Sequence, residues 1–158
     1  MYFYVNDTSL ELQNQFITES DNVSIIKAGG EIIWNQDEDL RLTLKANYYK
    51  YEMENLEHPW HKPAFDASLN GSYNMHDKIL LNVALFYTGK RYAFGKYTDG
   101  NVRELQGYFD ANLGLEYRYT KMLSFFLKFN NFAAAKYNIW NQYPAQRFQI
   151  LVGFTYSL

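Results

Sequence analysis

The sequence predicts an all-β fold, an antiparallel up-and-down meander of about eight strands with no helix. Three observations predict it. Apolar residues recur at every second position, which is the period of a strand and not of a helix. Short polar connections alternate with long irregular ones, as in a series of hairpins. Aromatic residues make up 19% of the 158 residues, with 15 Tyr and 12 Phe, and Tyr favours strands and membrane–water interfaces.

Eight segments carry this period. In the first half, residues 2–5 open the chain as a strand, and segment 24–34 alternates least regularly, with Lys27 and Glu31 on its polar side. Segments 40–48 and 65–75 alternate throughout, so that Leu42 and Leu69 fall on an apolar side while Arg41 falls on a polar side. A helix would need apolar spacings of three and four, which are absent here, so each segment is predicted to be a strand.

The second half continues the pattern. Segment 79–87 is the most apolar, and segment 109–119 separates Leu113 and Leu115 from Asp110 and Glu116. Segment 123–129 places Lys128 on its polar side. Segment 147–158 alternates to the last residue, with Leu151 as the exception. We therefore predict eight strands.

The connections predict the architecture. Residues 35–39, 75–78 and 120–122 form short turns. Long connections run through residues 7–22, 52–63, 93–105 and 138–146. Tight turns at one end, long loops at the other and strands of about 10–13 residues are typical of an outer-membrane β-barrel, or of part of a larger barrel. With about eight strands, both chain ends are expected at the short-turn end.

Composition limits the classes of function. The length suits one domain, so residues 1–158 are interpreted as a single β-barrel domain or barrel fragment. A net charge of −2 argues against a nucleic-acid partner, and the absence of cysteine excludes a thiolate zinc site. No apolar stretch reaches the ~20 residues of a transmembrane helix. The first six residues lack the features of a signal peptide, so we expect a cytoplasmic protein or a piece of a longer chain.

Two sets of side chains decide which face meets lipid. Aromatic residues cluster at both strand ends, as interface belts require. The belt near the short turns is predicted from Trp34, Tyr73, Tyr117, Tyr119 and Tyr156, and the belt near the long loops from Tyr48, Tyr49, Tyr51, Tyr87, Tyr137 and Trp140. The apolar parity is free of charge except for Lys50 and Arg91, which lie near the loops. This distribution favours an apolar exterior in lipid.

The polar parity carries both signs of charge. It is interpreted as a lumen lining with compensating ion pairs, and the alternative is the solvated surface of a soluble sheet. The residues predicted to face the lumen are Lys27, Glu31, Arg41, Lys45, Asp66, Lys90, Asp110, Glu116, Arg118, Lys128 and Arg147.

The sequence gives little support for a catalytic or a metal site. His58 and His61 have no third ligand nearby, so no metal and no cofactor are predicted. Asp110 and Glu116 share a parity but lie about 20 Å apart, too far for paired acid–base chemistry. The protein is therefore not expected to be an enzyme. The long loops also carry aromatic side chains that could contact a sugar or planar chelate: Trp60, Tyr92, Phe94, Tyr97, Trp140 and Tyr143. The alternative is that they belong to the belt near the long loops, which we call the upper belt.

The last strand resembles the β-signal by which Gram-negative barrels are recognised for assembly, with Phe154 and Tyr156 before an apolar last residue. That residue is usually Phe or Trp, and here it is Leu158.

A wider resemblance covers most of the chain and is clearest over about the last 50 residues. The strand that ends in Asn130-Asn131, the Lys136-Tyr137 pair that follows and the Tyr143-Pro144 pair before the last strand are similar to the C-terminal barrel strands of TonB-dependent receptors, especially those of Bacteroidetes. The segment 28–32, Ala-Gly-Gly-Glu-Ile, resembles the recurrent Gly-x-Glu strand of such barrels.

This resemblance implies roughly the last third of a barrel of ~22 strands around a plug, in the bacterial outer membrane. Such receptors take up scarce ligands such as an iron chelate, a vitamin or a glycan. The implied partners are outer-membrane lipid, the rest of the receptor (plug and N-terminal strands), TonB and the barrel-assembly machinery. The plug and the signal peptide are not recognised in this sequence. The alternative is a small eight-stranded barrel with a structural or ligand-binding role and no transport, or a curved sheet with two unpaired edges.

Overall fold

The structure, a computed structural model, describes residues 1–9, 15–97 and 100–157, with only the backbone described at 96, 97 and 100. These residues form strands and connections and no helix, so no helix long and apolar enough to cross a membrane is found among them. The strands are β1 (Tyr2–Asn6), β2 (Phe16–Ser20), β3 (Val23–Gln36), β4 (Leu40–Met53), β5 (Phe65–Met75), β6 (Ile79–Thr88), β7 (Arg91–Tyr97), β8 (Gly100–Leu105), β9 (Tyr108–Arg118), β10 (Leu123–Asn130), β11 (Asn138–Trp140), β12 (Tyr143–Pro144) and β13 (Gln149–Tyr156).

One antiparallel sheet of seven strands dominates the molecule, in the order β13-β10-β9-β6-β5-β4-β3. Its long strands coincide with seven of the eight predicted segments, and the predicted all-β meander is confirmed. The short turns are tight. His76 and Asp77 have φ of 52° and 55°, the left-handed values that a two-residue hairpin turn requires.

The eighth predicted strand does not join this sheet. Residues 2–5 lie in β1, which pairs with β2 in a separate hairpin. The expectation that both chain ends lie at the short-turn end is therefore wrong. Val23 pairs with Met53 at the long-loop end, whereas Tyr156 pairs with Leu123 next to a short turn. An odd number of antiparallel strands necessarily puts its two ends on opposite sides.

Three long connections contain regular structure that the sequence pattern did not predict, and the first of them, residues 7–22, contains β2. Residues 93–105 fall largely within the β7–β8 hairpin, and residues 138–146 contain the short β11–β12 hairpin. Both ladders are interrupted by register shifts, so the period of two is broken before it becomes visible in the sequence.

The large sheet is open in the described part of the chain. Its outer strands β3 and β13 each have one neighbour and do not pair with each other. The closed eight-stranded barrel considered from the sequence is therefore not the arrangement observed. A sheet closes into a barrel only when strand number and shear bring its edges together, and seven strands here leave both edges unpaired.

The register separates an apolar face from a polar face. Directly paired residues share a face, and one row across the middle of the sheet is apolar throughout: Leu42, Gly71, Val83, Leu113, Phe129 and Ile150. The next row is predominantly polar: Arg41, Ser72, Asn82, Gly114, Lys128 and Leu151. The apolar face is exposed, with Val152 at 75% and Ile32 at 67% of full exposure.

The buried apolar core lies outside this sheet. Among the described residues, the buried apolar side chains are Phe3, Val5, Trp60, Ala93, Leu105 and Ala145. All belong to segments at the long-loop end: the β1–β2 hairpin, residues 54–64, the β7–β8 hairpin and residues 138–146. We call these four segments the cap. The long loops therefore fold into a packed unit of their own, while the sheet exposes its apolar face.

Candidate functional site: a polar wall and its cap

The polar face of the sheet collects most of the charged residues predicted to face a lumen. Nine of them lie on strands and share this face by register: Lys27, Glu31, Arg41, Lys45, Asp66, Asp110, Glu116, Arg118 and Lys128. The other two, Lys90 and Arg147, lie just outside strands at the long-loop end.

Each carboxylate on these strands has a partner. Glu31 lies 3.9 Å from Lys45 Nζ, and Glu116 lies 3.5 Å from Arg118 Nε. Asp66 accepts a hydrogen bond of 2.8 Å from the Asn47 amide. Asp110 accepts one of 2.6 Å from the Tyr137 hydroxyl, and burial together with this bond raises the pKa of Tyr137. Glu31 and Glu116 are therefore paired with cations, whereas Asp66 and Asp110 have neutral hydrogen-bond donors and no cationic partner among the described residues.

Gly29 makes room for one of these contacts. A Cβ at this position would lie 2.5 Å from Asn47 Oδ1, closer than any Cβ contact tolerates. Asn47 is buried and donates to Asp66 on the neighbouring strand. The close approach of Asn47 on the polar face thus explains why the first residue of the Gly-Gly-Glu segment is a glycine.

Three cations on the polar face have no ion pair with any described residue: Lys27, Arg41 and Lys128. Arg41 and Lys128 lie in the same cross-strand row, and no carboxylate in the described chain is within ion-pair distance of either. Lys128 Nζ lies 5.4 Å from the centre of the Phe126 ring. Both residues line a hollow of about 440 Å³, which we call the middle hollow. Its other polar lining side chains are Thr43, Asn70, Ser72, Asn82, Asn112 and Asn130.

A second hollow of about 440 Å³ lies at the long-loop end, between the end of β8, residues 106–107, residues 136–138 and residues 144–147. We call it the upper hollow. Its charged lining residues in the described chain are Arg103, Lys136, Arg147 and Glu104. Glu104 is engaged by Lys90 Nζ at 3.2 Å and by the Gln106 amide at 3.1 Å.

His61 joins three hairpins in the cap. Its backbone N–H donates to the Tyr92 carbonyl, and its ring Nε2 accepts a bond of 3.2 Å from the Asn141 backbone N–H. The ring proton is therefore on Nδ1, which donates to the Tyr4 carbonyl at 3.0 Å. Burial, with smaller contributions from Arg91 and Lys62, lowers the pKa of His61 from 6.5 to about 4. A neutral histidine therefore holds the cap together.

Further buried polar groups fasten the cap. Arg91 donates two hydrogen bonds, of 2.7 and 2.8 Å, to the carbonyls of Ile139 and Asn138. The Asp21 carboxylate accepts bonds from the backbone N–H groups of Leu56 and Asn55, and these bonds hold its pKa well below its usual range. None of these roles is visible in the sequence, because the bonded partners lie 31 to 80 residues apart along the chain.

The structure corrects two sequence expectations about the long-loop end. Arg91 was expected near the water boundary of the apolar face, but it begins a cap hairpin and is buried. Tyr49 and Tyr51 were expected in the upper belt, but they pair with Lys27 and Ile25 on the polar face. Adjacent residues of a strand point to opposite faces, so Tyr48, Tyr49 and Tyr51 cannot all meet lipid. Tyr137 likewise turns to the polar side, towards Asp110.

The predicted ligand-contacting aromatics are mostly packed within the cap. Trp60 is 3% exposed and its ring centre lies 5.5 Å from that of Phe94. Tyr92 stacks on His58 at 4.2 Å, and Trp140 packs edge-on against Tyr4 at 5.3 Å. Tyr143 is the most exposed of the set, at 46%. The Tyr97 side chain lies outside the described residues.

The predicted assembly signal lies on the outer strand. Phe154 and Tyr156 are exposed on the apolar face of β13, and Leu158 lies outside the described residues. His58 and His61 belong to no cluster of three or more His, Cys, Asp or Glu among the described residues.

Comparison with known proteins finds similarity in structure only. No family model and no curated protein matches the sequence. The PirA siderophore receptor of Acinetobacter baumannii superimposes with a TM-score of 0.75 at 13% identity, over 100% of this chain and 26% of that one. The pyoverdine outer membrane receptor FpvA of Pseudomonas aeruginosa gives 0.74 at 12%, over 99% of this chain and 25% of that one. The ferric-catecholate import receptor Fiu of E. coli gives 0.73 at 15%, over 97% and 23%.

The chain spans about a quarter of the length of these receptors. Over that span it has their fold, and it matches a run of strands within a much longer β-structure.

Proposed function

We propose that this chain is a section of the wall of a TonB-dependent receptor in the bacterial outer membrane, and that the receptor takes up a ferric chelate. One observation carries the proposal: an open seven-stranded meander with one apolar and one polar face matches siderophore receptors along nearly its whole length. The names of those proteins refer to siderophore, pyoverdine or ferric catecholate, and we extend that class of ligand to this chain. The role is binding and transport rather than catalysis.

The apolar face is assigned to lipid. Its middle row contains no charged residue, and a cation at that depth would cost about 2–4 kcal/mol. In the seven strands of the sheet, charge appears on this parity at Lys50 and Glu52, near the long-loop end of β4, where the two pair at 2.7 Å. Exposed apolar side chains of this extent would aggregate in water, whereas lipid covers them without cost.

The polar face is assigned to the interior of the receptor. The predicted lumen residues then line a water-filled passage, and the cap closes its extracellular end. Tyr143 and the outer rim of the upper hollow are the cap groups best placed to meet a ligand, because the Tyr143 side chain is 46% exposed even though its ring packs against Phe16 at 5.3 Å. Ligand contact by Trp60, Tyr92 and Phe94 would need the cap to open.

The first proposed partner is the rest of the receptor, which would pair with the two outer strands of the sheet. The unpaired edges of β3 and β13 offer backbone hydrogen bonds to further strands of the same receptor. The remaining partners come from the resemblance: a plug inside the wall, TonB, and barrel-assembly machinery that reads the last strand through Phe154 and Tyr156. The Bacteroidetes type is part of the proposal on the same ground. The small eight-stranded barrel is less favoured, since both edges are open.

Two measurements test the proposal. The purified chain is expected to acquire β-structure in detergent or lipid vesicles and to aggregate in plain buffer. Monodisperse, β-rich protein in buffer would contradict the membrane assignment. In the source bacterium, deletion of the reading frame that contains this chain should slow growth on ferric chelates as the sole iron source. Unchanged growth on every chelate class would contradict the transport role.

A further inference from the structure

Residues 137–139 lie at the joint between the cap and the sheet, where they bind an anion of the sheet and a cation of the cap. The Tyr137 hydroxyl donates to Asp110 Oδ2 at 2.6 Å. The carbonyls of Asn138 and Ile139 accept hydrogen bonds of 2.8 and 2.7 Å from Arg91. We call this three-residue segment the wedge. It satisfies the aspartate through a hydroxyl group and the arginine through two carbonyl groups.

The wedge leaves one polar atom of each ion without a partner. Asp110 Oδ1 and Arg91 Nε are both buried, and neither forms a hydrogen bond with any described residue. Neither ion has an ion pair in the described part of the chain, and Arg91 is only 4% exposed. Such groups have lost hydration that nothing in the protein replaces, which costs free energy. The observed arrangement therefore holds two opposite charges apart, each with an unused hydrogen-bonding atom.

A chain of aromatic contacts connects the two ions. The Arg91 guanidinium carbon lies 5.1 Å from the centre of the Tyr108 ring. The Tyr108 and Tyr137 rings stack at 3.8 Å with an angle of 2° between their planes. Tyr108 precedes Asp110 by two residues on β9, so the two share a face and lie about 7 Å apart. A guanidinium that already contacts the Tyr108 ring is thus one strand repeat from Asp110, within the reach of an arginine side chain.

We propose that the wedge is released from this joint as a unit, and that Arg91 and Asp110 then bind each other. Attraction between opposite charges is strong where water is scarce, and arginine binds both oxygens of a carboxylate through two parallel hydrogen bonds. Such a pair uses Asp110 Oδ1 and Arg91 Nε, the two atoms that the observed arrangement leaves without a partner.

This exchange of partners makes the joint a two-state element. The new ion pair offsets the hydrogen bonds that are lost with the wedge, which keeps the released state accessible. Release also opens one side of the upper hollow, because Tyr137 and Asn138 line it. The device belongs to the conformational equilibrium of the chain itself, so it goes beyond the proposed function and requires no particular solute.

Distances between spin labels test the proposal. The chain has no cysteine, so cysteines introduced at Ile139, which is exposed on the wedge, and at Lys121, in a short turn at the other end of the sheet, are labelled specifically. Double electron–electron resonance is recorded on the full chain folded in nonionic detergent. Tyr137→Phe keeps the ring and removes the bond to Asp110, so the population at the released distance should rise about tenfold. Tyr108→Phe, the same change in the stacked ring, should leave the distances unaltered.

A second substitution separates an exchange of partners from a simple loosening of the loop. Asp110→Asn removes the charge that Arg91 binds in the released state and keeps an oxygen that accepts from Tyr137. Added to Tyr137→Phe, it should reverse most of the rise in the released population. A rise that persists or grows in the double variant would overturn the proposal, as would equal distances in Tyr137→Phe and Tyr108→Phe.

The remaining variant decides the matter if Tyr137→Phe does not fold. Asp110→Asn alone should lower the released population, because the wedge keeps its bond while the ion pair is lost. An unchanged or larger population in this variant contradicts the exchange. None of these measurements depends on lipid or on a transported solute, so their failure leaves the proposed function untouched.

Discussion

Replacing Val83 with arginine is expected to destabilise the lipid-inserted fold far more than replacing its neighbour Asn82 with arginine. Val83 is the fifth of the ten residues of β6 and belongs to the apolar middle row, whereas Asn82 lines the middle hollow on the polar face. The two substitutions add the same side chain one position apart, so they differ only in the face that receives it.

The expected loss of stability follows from the depth of residue 83 in the membrane. With about 3.4 Å per residue and a strand tilt of about 40°, Val83 lies roughly 10–13 Å from either end of the span. That distance is too long for the arginine to place its charge fully in water. Arginine at the midplane costs about 2–4 kcal/mol, a change of roughly 30-fold to several hundred-fold in the ratio of folded to unfolded protein. Asn82→Arg should cost less than about 1 kcal/mol, since it adds only screened repulsion near Arg41.

The assay is equilibrium unfolding by urea in lipid vesicles of one composition, followed by tryptophan fluorescence and by the heat-dependent mobility of folded barrels on gels. The free energies of unfolding of the two variants are compared with that of the unmodified chain. Equal losses, or a greater loss for Asn82→Arg, would show that the assignment of faces to lipid and water is wrong.

Further predictions concern the cap and the Gly29 contact. Because the pKa of His61 falls from 6.5 to about 4 on folding, the neutral ring stabilises the cap fully above pH 6.5, and this stability is lost as the pH falls towards 4. The loss amounts to about 3 kcal/mol and should appear as an acid-induced fluorescence change from the cap tryptophans. It should be absent in His61→Asn, which tolerates the left-handed φ of 59°. Gly29→Ala should destabilise the chain by about 1–3 kcal/mol in urea unfolding because its Cβ would collide with Asn47, whereas Gly30→Ala, with no atom within 4 Å of its Cβ, should be neutral. Arg91→Lys should cost about 2–3 kcal/mol, because a single ammonium nitrogen cannot reproduce the planar fork in which two guanidinium nitrogens donate to adjacent carbonyls. Increased proteolysis of the long loops would report the loss, and unchanged digestion would show that Arg91 does not fasten the cap.

Much of the seven-stranded sheet could be predicted from the sequence. The period of two in segments 65–75 and 109–119 predicted β5 and β9 almost to the residue, because a sheet with one apolar and one polar face requires strict alternation. The same alternation placed Arg41 and Lys128 on one face before any register was known. The cap was not predictable in this way. His61 contacts Tyr4 and Asn141, which are 57 and 80 residues away, and no local pattern records such contacts.

The sequence by itself determined the strands, their polarity and the short turns, because each depends on neighbouring residues and the geometry of a single strand. Only the tertiary structure decided that there are seven wall strands rather than eight, that residues 2–5 belong to the cap, and that the sheet stays open. It alone also brought Lys136 and Arg147 together around one hollow. The physical reason is that pairing, closure and cap packing depend on contacts between distant segments, whose formation is governed by chain entropy and shape rather than by local sequence.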